Sequence, residues 1–329
     1  MNQLIDQFNR IHTYLRISVT DRCNLRCTYC MPADGIVLDK RDHLLTFDEI
    51  VRLSSIFAGL GVEKIRLTGG EPLVRKNLPE LISRLKNIPG INTIGMTTNG
   101  VLLTDYMDPL KKAGLDKINL SLDSLKPERF KLITLRDHYN DVFRSINAAL
   151  EAGYDPVKLN TVVIRGFNDD ELSDFVELAR NRPLNIRFIE YMPFKSNRWN
   201  MESFISYTDM IKMIRRRYPL KPVYSENDPN SVAKDYMIDG FRGKISFITS
   251  MSEHFCDSCN RVRLTSDGAI KSCLFHASEV SLRDLMRNNA TDAELTEIIS
   301  SAVFMKPAAH APVNELIKMD NRTMTEIGG

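Results

Sequence analysis

The chain has almost no excess of either charge: lysine plus arginine number 44 and aspartate plus glutamate 42 among 329 residues, a formal net charge of +2. No global field therefore draws it to nucleic acid or anionic lipid. It has one tryptophan, Trp199, and no interleaving of aromatic with basic residues, which argues against a nucleic-acid-binding module. No apolar run approaches the ~18–20 residues that cross a bilayer. The opening MNQLIDQFNR lacks the apolar core of a signal peptide, so a cytoplasmic protein with no membrane partner is expected. No G-x4-G-K-[ST] loop is present, which removes the common backbone cradle for phosphates. Cysteine is missing from the 225 residues between Cys30 and Cys256. What remains, 43% hydrophobic and 26% charged, is the composition of a folded globular protein and excludes disorder, collagen-like repeats and coiled coil.

From residue 14 to about 192 short β-rich runs alternate with amphipathic stretches. Strands are expected over 14–19, 64–68, 93–97, 117–122, 157–164 and 185–191. Helices are expected over 47–61, 77–87, 139–152 and 169–180, several ending at glycine. Strands alternating with helices imply an α/β fold with a parallel sheet, and six units fit a partial (β/α)6 barrel better than the closed eight-unit form. Beyond 193 the rhythm stops. A helix over 206–218, linker composition over 221–231, a strand over 244–251, a hairpin around 265–268 and helices near 279–289 and 292–305 are expected. The division anticipated is a barrel over 1–220 and a smaller region over 221–329 laid against it.

The six cysteines fall three and three. Cys23, Cys27 and Cys30 form Cys-x3-Cys-x2-Cys directly after the first strand; Cys256, Cys259 and Cys273 form Cys-x2-Cys-x13-Cys around the hairpin. In a reducing compartment such spacings point to metal rather than disulfides. Three thiolates can grip three irons of a [4Fe–4S] cube and leave the fourth open to a ligand. Zinc is the alternative, with a distant fourth ligand for the first set and His254 or His276 completing the second, although zinc motifs mostly use paired Cys-x2-Cys units.

Cys-x3-Cys-x2-Cys with Tyr29 before its last cysteine, followed by Thr68-Gly69-Gly70-Glu71-Pro72 after the second strand, resembles the signature of the radical S-adenosylmethionine superfamily. The joint pattern is wider. Ser-Val-Thr-Asp-Arg-Cys-Asn, Lys-Ile-Arg-Leu-Thr-Gly-Gly-Glu-Pro-Leu, Thr-Thr-Asn-Gly, Ile-Arg-Phe-Ile-Glu, Cys-x2-Cys-Asn-Arg-Val-Arg-Leu and a closing Gly328-Gly329 resemble the GTP 3′,8-cyclase family, that of molybdenum cofactor biosynthesis protein A. The resemblance implies a radical SAM partial barrel with one [4Fe–4S] cluster on Cys23, Cys27 and Cys30 and a second on Cys256, Cys259 and Cys273. S-adenosylmethionine would chelate the open iron of the first, with contacts from Tyr29, Gly70, Ser121 and Met192. GTP would bind through Arg16, Arg66, Thr97, Lys158, Arg261, Val262 and Arg263, its base on the second cluster, and Gly328 and Gly329 would take part in catalysis. The implied reaction is formation of (8S)-3′,8-cyclo-7,8-dihydroguanosine 5′-triphosphate through abstraction of the ribose 3′ hydrogen by a 5′-deoxyadenosyl radical. It implies a one-electron reductant, cyclic pyranopterin monophosphate synthase as product acceptor, and a monomer or homodimer. Peptide-modifying maturases, the nearest rival, carry more C-terminal cysteines.

One observation points the same way without the family. Arg16, Lys64, Arg66, Lys158 and Arg187 all fall within expected barrel strands, and inward-facing cations are costly without an anion. An anionic ligand is expected, with one or two of the five turned outward or paired with Glu71, Asp123 or Glu190. Arg215, Arg216 and Arg217 read as a solvated helix end.

Overall fold

Strict alternation within the strands decides which face of the sheet is covered. Leu15 and Ile17, Ile65 and Leu67, Ile94 and Met96, Ile118 and Leu120, Ile186 and Phe188 sit in one fully buried apolar core, while the polar residues between them face the other way. The computed structural model describes residues 3–195, 197–224, 230–277, 279–319 and 321–328. Its strands are β1 Tyr14–Ser18, β2 Lys64–Thr68, β3 Thr93–Thr98, β4 Lys117–Ser121, β5 Val157–Val163, β6 Leu184–Glu190, β7 Lys221–Val223, β8 Ala233–Met237, β9 Lys244–Ile248, β10 Arg261–Leu264, β11 Ala269–Lys271 and β12 Val280–Ser281. The helices are α1 Phe47–Gly59, α2 Leu78–Lys86, α3 Leu103–Lys112, α4 Pro127–Thr134, α5 Tyr139–Glu151, α6 Leu172–Leu178, α7 Tyr207–Arg215, α8 Leu282–Arg287, α9 Asp292–Phe304, α10 Val313–Leu316 and α11 Met324–Ile327.

Among the described residues all twelve strands join one sheet in the order β12-β11-β10-β1-β2-β3-β4-β5-β6-β9-β8-β7. It has two free ends, so the barrel is partial, as expected. The six early strands pair in parallel and in sequence. Residues beyond 221 extend this run at both edges: β9 lies parallel to β6 and β10 parallel to β1. The remaining strands fold back antiparallel.

Several expectations change: the strand expected over 244–251 ends at Ile248 and the helix expected over 206–218 ends at Arg215. The stretch read as a linker begins as β7, an edge strand paired with β8; Pro222 is tolerated there because an edge strand can spare an N–H. The helix expected from about 279 starts only at Leu282, since Val280 and Ser281 pair with β11 and Ser281 then caps α8. The hairpin at 265–268 joins β10 to β11 as expected, and Arg215, Arg216 and Arg217 are exposed at the end of α7.

Glu190, fully buried at the end of β6, locks two later segments to the barrel. Its carboxylate accepts from the Tyr207 N–H at 2.8 Å, from the Met251 and Ser252 N–H groups at 2.7 and 2.9 Å, and from the Ser252 hydroxyl. Glu190→Ala leaves three backbone donors without their acceptor, each worth ~1–3 kcal/mol. We expect it to lower the unfolding free energy of the metal-free chain by about 3 kcal/mol or more in urea titration. A cost under about 1 kcal/mol would mean that water replaces the carboxylate.

Candidate active site

Residues from the polar face of β1 to β6, together with β9 and β10, line a single cavity. It also receives all six cysteines, each half-buried with a free thiol. The two cysteine sets meet here because β10 pairs with β1: Tyr14 lies opposite Arg261, and Arg16 opposite Arg263. The loop after β1 thus stands beside the loops that flank β10 and β11.

The first loop is held by the glycine turn after β2. The Gly70 N–H donates to the Thr20 carbonyl at 2.8 Å and the Glu71 N–H to the Arg22 carbonyl at 2.8 Å. A side chain on Gly70 would stand 2.3 Å from the Arg22 carbonyl oxygen, so only glycine permits this approach. Glu71 is fully buried and accepts from the Thr98 hydroxyl and the Asn99 N–H, both at 2.7 Å. Burial nevertheless pushes its carboxyl up to about 7. Asn99 reaches on to Asn24 at 2.7 Å and to the Cys23 sulfur at 3.7 Å. The Tyr29 hydroxyl donates to Asp123 at 2.7 Å, fixing the loop to the end of β4, and Asp123 accepts from the Val162 N–H at 2.9 Å.

The two thiol sets differ electrostatically. Burial pushes Cys23 up to about 12 and Cys256 upward. At Cys259 burial acts the same way, but Arg261 and Lys306 outweigh it and hold the thiol at about 6.

Between the two sets lie seven cations: Arg16, Lys64, Arg66, Lys158, Arg187, Arg261 and Arg263. Register arranges them in rows. Arg263, Arg16 and Arg66 are directly opposite one another on β10, β1 and β2; Arg261, Tyr14 and Lys64 form the next row. Gly95, opposite Arg66 on β3, leaves the space the Arg66 guanidinium fills, for a side chain there would meet it at 2.8 Å. Like charges facing each other across strands are destabilising. Asp123 is the only carboxylate among the described lining residues. The expectation that one or two cations turn outward or pair with Glu71, Asp123 or Glu190 therefore fails. All five named from the sequence line the cavity, and the three carboxylates are held by hydroxyl and backbone donors. Burial, with neighbouring cations, pushes Lys158 down to about 8 and Arg187 to about 10. Burial would raise the Tyr14 phenol, but Arg66, Arg16 and Lys64 pull it to about 7.

Of the other residues named from the sequence, Thr97, Ser121 and Met192 line the cavity. Val262 does not: alternation turns its side chain into the apolar core on the opposite face from Arg261 and Arg263. Gly328 is buried, its carbonyl accepting from the Thr68 hydroxyl at 2.9 Å and from Arg263 at 3.4 Å; Gly329 lies outside the described residues. His254 is exposed and packs edge-on against His310. Sequence reading passed over Tyr14, Asn119 and Asn160, which also line the cavity. Each lies two residues from a named one on the same strand, so the period of two could have found them.

Thr97 Oγ1, Asn119 Oδ1, Asn160 Oδ1 and Arg187 Nε are buried polar atoms of the lining with no hydrogen-bond partner among the described residues. Orphaned polar atoms beside massed cations fit a polar, anionic ligand. The thiols fit iron–sulfur ligation. Among the described residues no three His, Cys, Asp or Glu side chains close around a single ion, whereas a four-iron cube binds one thiolate per iron and so asks for sulfurs further apart.

Comparison with known proteins agrees. The Radical SAM superfamily matches residues 17–179 and the Molybdenum Cofactor Synthesis C family residues 184–312. The chain is 50% identical over 329 residues to the Arabidopsis thaliana protein named GTP 3′,8-cyclase, mitochondrial, covering 100% of this chain and 84% of that one. It is 46% identical over 324 residues to GTP 3′,8-cyclase of Moorella thermoacetica, covering 98% and 99%. It is 53% identical to Molybdenum cofactor biosynthesis protein 1 of Dictyostelium discoideum over 99% of this chain but only 52% of that protein, so the chain spans about half the length of such relatives. Among solved structures, histidine-tagged anSMEcpe with bound AdoMet superposes with a TM-score of 0.62 at 15% identity, covering 93% of this chain and 81% of that one, a likeness of fold alone. The chain belongs to the GTP 3′,8-cyclase family of the radical S-adenosylmethionine superfamily.

Proposed function

We propose that this chain converts GTP to (8S)-3′,8-cyclo-7,8-dihydroguanosine 5′-triphosphate, the first step of molybdenum cofactor biosynthesis. The observation that carries the reading is the pair of cationic rows across β10, β1 and β2, set between two three-cysteine loops. Family membership implies two [4Fe–4S] clusters and S-adenosylmethionine. Cys23, Cys27 and Cys30 would hold one cluster, Cys256, Cys259 and Cys273 the other. When bound, the first would supply one-electron reduction of the sulfonium and the second a Lewis-acidic iron for the guanine base.

The chain's own groups do the rest. Arg263, Arg16 and Arg66, with Lys64, Lys158, Arg187 and Arg261, offset the roughly four negative charges of a triphosphate through charge-assisted hydrogen bonds. Thr97, Asn119 and Asn160 offer their unpaired atoms to the ribose and base. Gly70, Ser121, Met192 and the braced Tyr29 hold S-adenosylmethionine, and the Gly328 carbonyl on Arg263 places the tail against the substrate arginines. The backbone of Val262 remains the only part of that residue able to meet GTP. The division of labour follows the sequence, 1–220 carrying the sulfonium chemistry and 221–329 the base and tail. A one-electron reductant supplies the chain, and cyclic pyranopterin monophosphate synthase takes its product. Among the described residues no helix is long and apolar enough to cross a membrane, and we place the chain in the cytoplasm.

Anaerobically reconstituted protein should hold about eight irons and form 5′-deoxyadenosine with GTP but not with ATP. Equal turnover of both nucleotides would overturn the substrate; zinc in place of iron would overturn the chemistry.

Titration of the lining gives a pH profile. Lys158, at about 8, is charged below that pH and neutral above it; Tyr14, at about 7, gains a negative charge as pH rises. Both changes oppose a triphosphate. GTP affinity is expected to fall from near pH 7 and, beyond pH 8, by up to about tenfold per unit for each proton taken up on binding. In calorimetric titrations Tyr14→Phe should delay the decline to pH 8, and Lys158→Arg should flatten the part above it. An unchanged profile in both variants would exclude these two groups.

A further inference from the structure

Lys306, just beyond α9, is 2% exposed, and a buried ammonium ordinarily needs a carboxylate. Lys271, equally buried, has one: Glu279 stands 2.6 Å from its Nζ. Among the described residues Lys306 pairs with no carboxylate. Its Nζ is surrounded by acceptors: the Arg261 carbonyl at 2.9 Å, the Cys259 carbonyl at 3.3 Å, His12 Nε2 at 3.0 Å and the Cys259 sulfur at 3.3 Å. The sulfur is the one atom of this set that can carry a full negative charge.

The segment before β1 fixes that contact from outside. Ile5 and Ile11 pair antiparallel, and the Gln7 N–H and side-chain amide donate to the carbonyls of Phe304 and Lys306, both at 3.2 Å. Arg10, ion-paired to Asp6 at 2.6 Å, donates to the carbonyls of Cys256, Ala308 and Pro307 at 2.8, 2.7 and 2.6 Å. One clamp thus grips the backbone of the first cysteine of the second set and the backbone on both sides of the lysine. His12 lies 3.7 Å from Asp6 and is fully buried.

We propose that Lys306 is a positioning residue for the C-terminal cluster: its ammonium counter-charges the Cys259 thiolate and raises that cluster's reduction potential without acting on the N-terminal one. The proposal rests on the assignment of Cys256, Cys259 and Cys273 as ligands. A positive charge donating to a ligating sulfur stabilises the reduced, more negative cluster, as hydrogen bonds to cluster sulfurs do in general. No lysine or arginine donates to an N-terminal thiol among the described contacts; those to Cys23 come from a backbone N–H and the Asn99 amide.

The test is a redox titration followed by electron paramagnetic resonance on reconstituted holoenzyme, wild type against Lys306→Met. It is repeated with Cys23, Cys27 and Cys30 replaced by alanine so that the C-terminal signal stands alone. We expect the C-terminal cluster to shift to more negative potential and the N-terminal cluster to stay in place. Lys306→Gln, which keeps a donor without the charge and covers the case in which methionine prevents folding, should give a smaller shift of the same sign. An iron-replete variant with no shift, or with equal shifts in both clusters, overturns the proposal alone. A wild-type chain holding only about four irons overturns the ligand assignment beneath it.

Discussion

A Cys27→Ser chain is expected to form no 5′-deoxyadenosine while retaining about four irons and its affinity for GTP to within about twofold. Serine is a poor iron ligand, and with two thiols left the loop after β1 cannot complete a three-thiolate site. The Cys27 thiol lies against Cys30, and that contact together with burial holds it well above the usual thiol range. The environment therefore offers a neutral hydroxyl no help toward ionisation. GTP affinity should survive because the cationic rows are built by strand register and not by the loop. The check is anaerobic iron and sulfide counting with chromatographic detection of 5′-deoxyadenosine. Full iron content with normal cleavage would remove Cys27 from the ligand set, and loss of all iron would show that the two sites do not load independently.

Arg263→Ala should produce the complementary defect. Arg263 heads the row that continues through Arg16 and Arg66, is buried, and donates to the tail through the Gly328 carbonyl. Burial first, then the nearby Arg16 and Arg261, drives its pKa well below the usual arginine range, so the fold holds it at a cost that an anion relieves. Removing one partner of a buried charge-assisted contact costs ~2–5 kcal/mol, about 30-fold to several thousandfold. That loss should appear in kcat/KM for GTP, while S-adenosylmethionine binding and its slow uncoupled cleavage stay near wild type. If Arg263→Ala lost the first cluster as readily as Cys27→Ser, the separation of tasks between the two ends of the cavity would be wrong.

Much of this arrangement is legible locally. Each of β1 to β6 declares itself by alternation and lies within one residue of its expected bounds, because one face of each must meet helices and the other a polar cavity. The cysteines declare themselves by spacing. What escapes is whatever depends on a distant partner. Lys221-Pro222-Val223 has the composition of a linker and becomes a strand only because β8 lies alongside. The parallel pairing of β1 with β10 has no local mark, although it unites the two cysteine sets. Lys306 and His12 are isolated residues in unremarkable stretches, 294 positions apart, and their meeting could be seen only in three dimensions. Val262 is the converse case: a motif names it, but alternation turns its side chain away from the cavity the motif serves.

The pairing of Tyr14 with Arg261 also sets a schedule. During synthesis at ~5–20 residues per second, β1 waits on the order of tens of seconds for its β10 neighbour to emerge. Throughout that interval the Cys23–Cys30 loop lacks the wall that β10, β11 and their flanking loops provide in the folded chain. The cavity between the two cysteine sets therefore closes only after β10 has been made, whereas the Cys23–Cys30 loop is complete long before it.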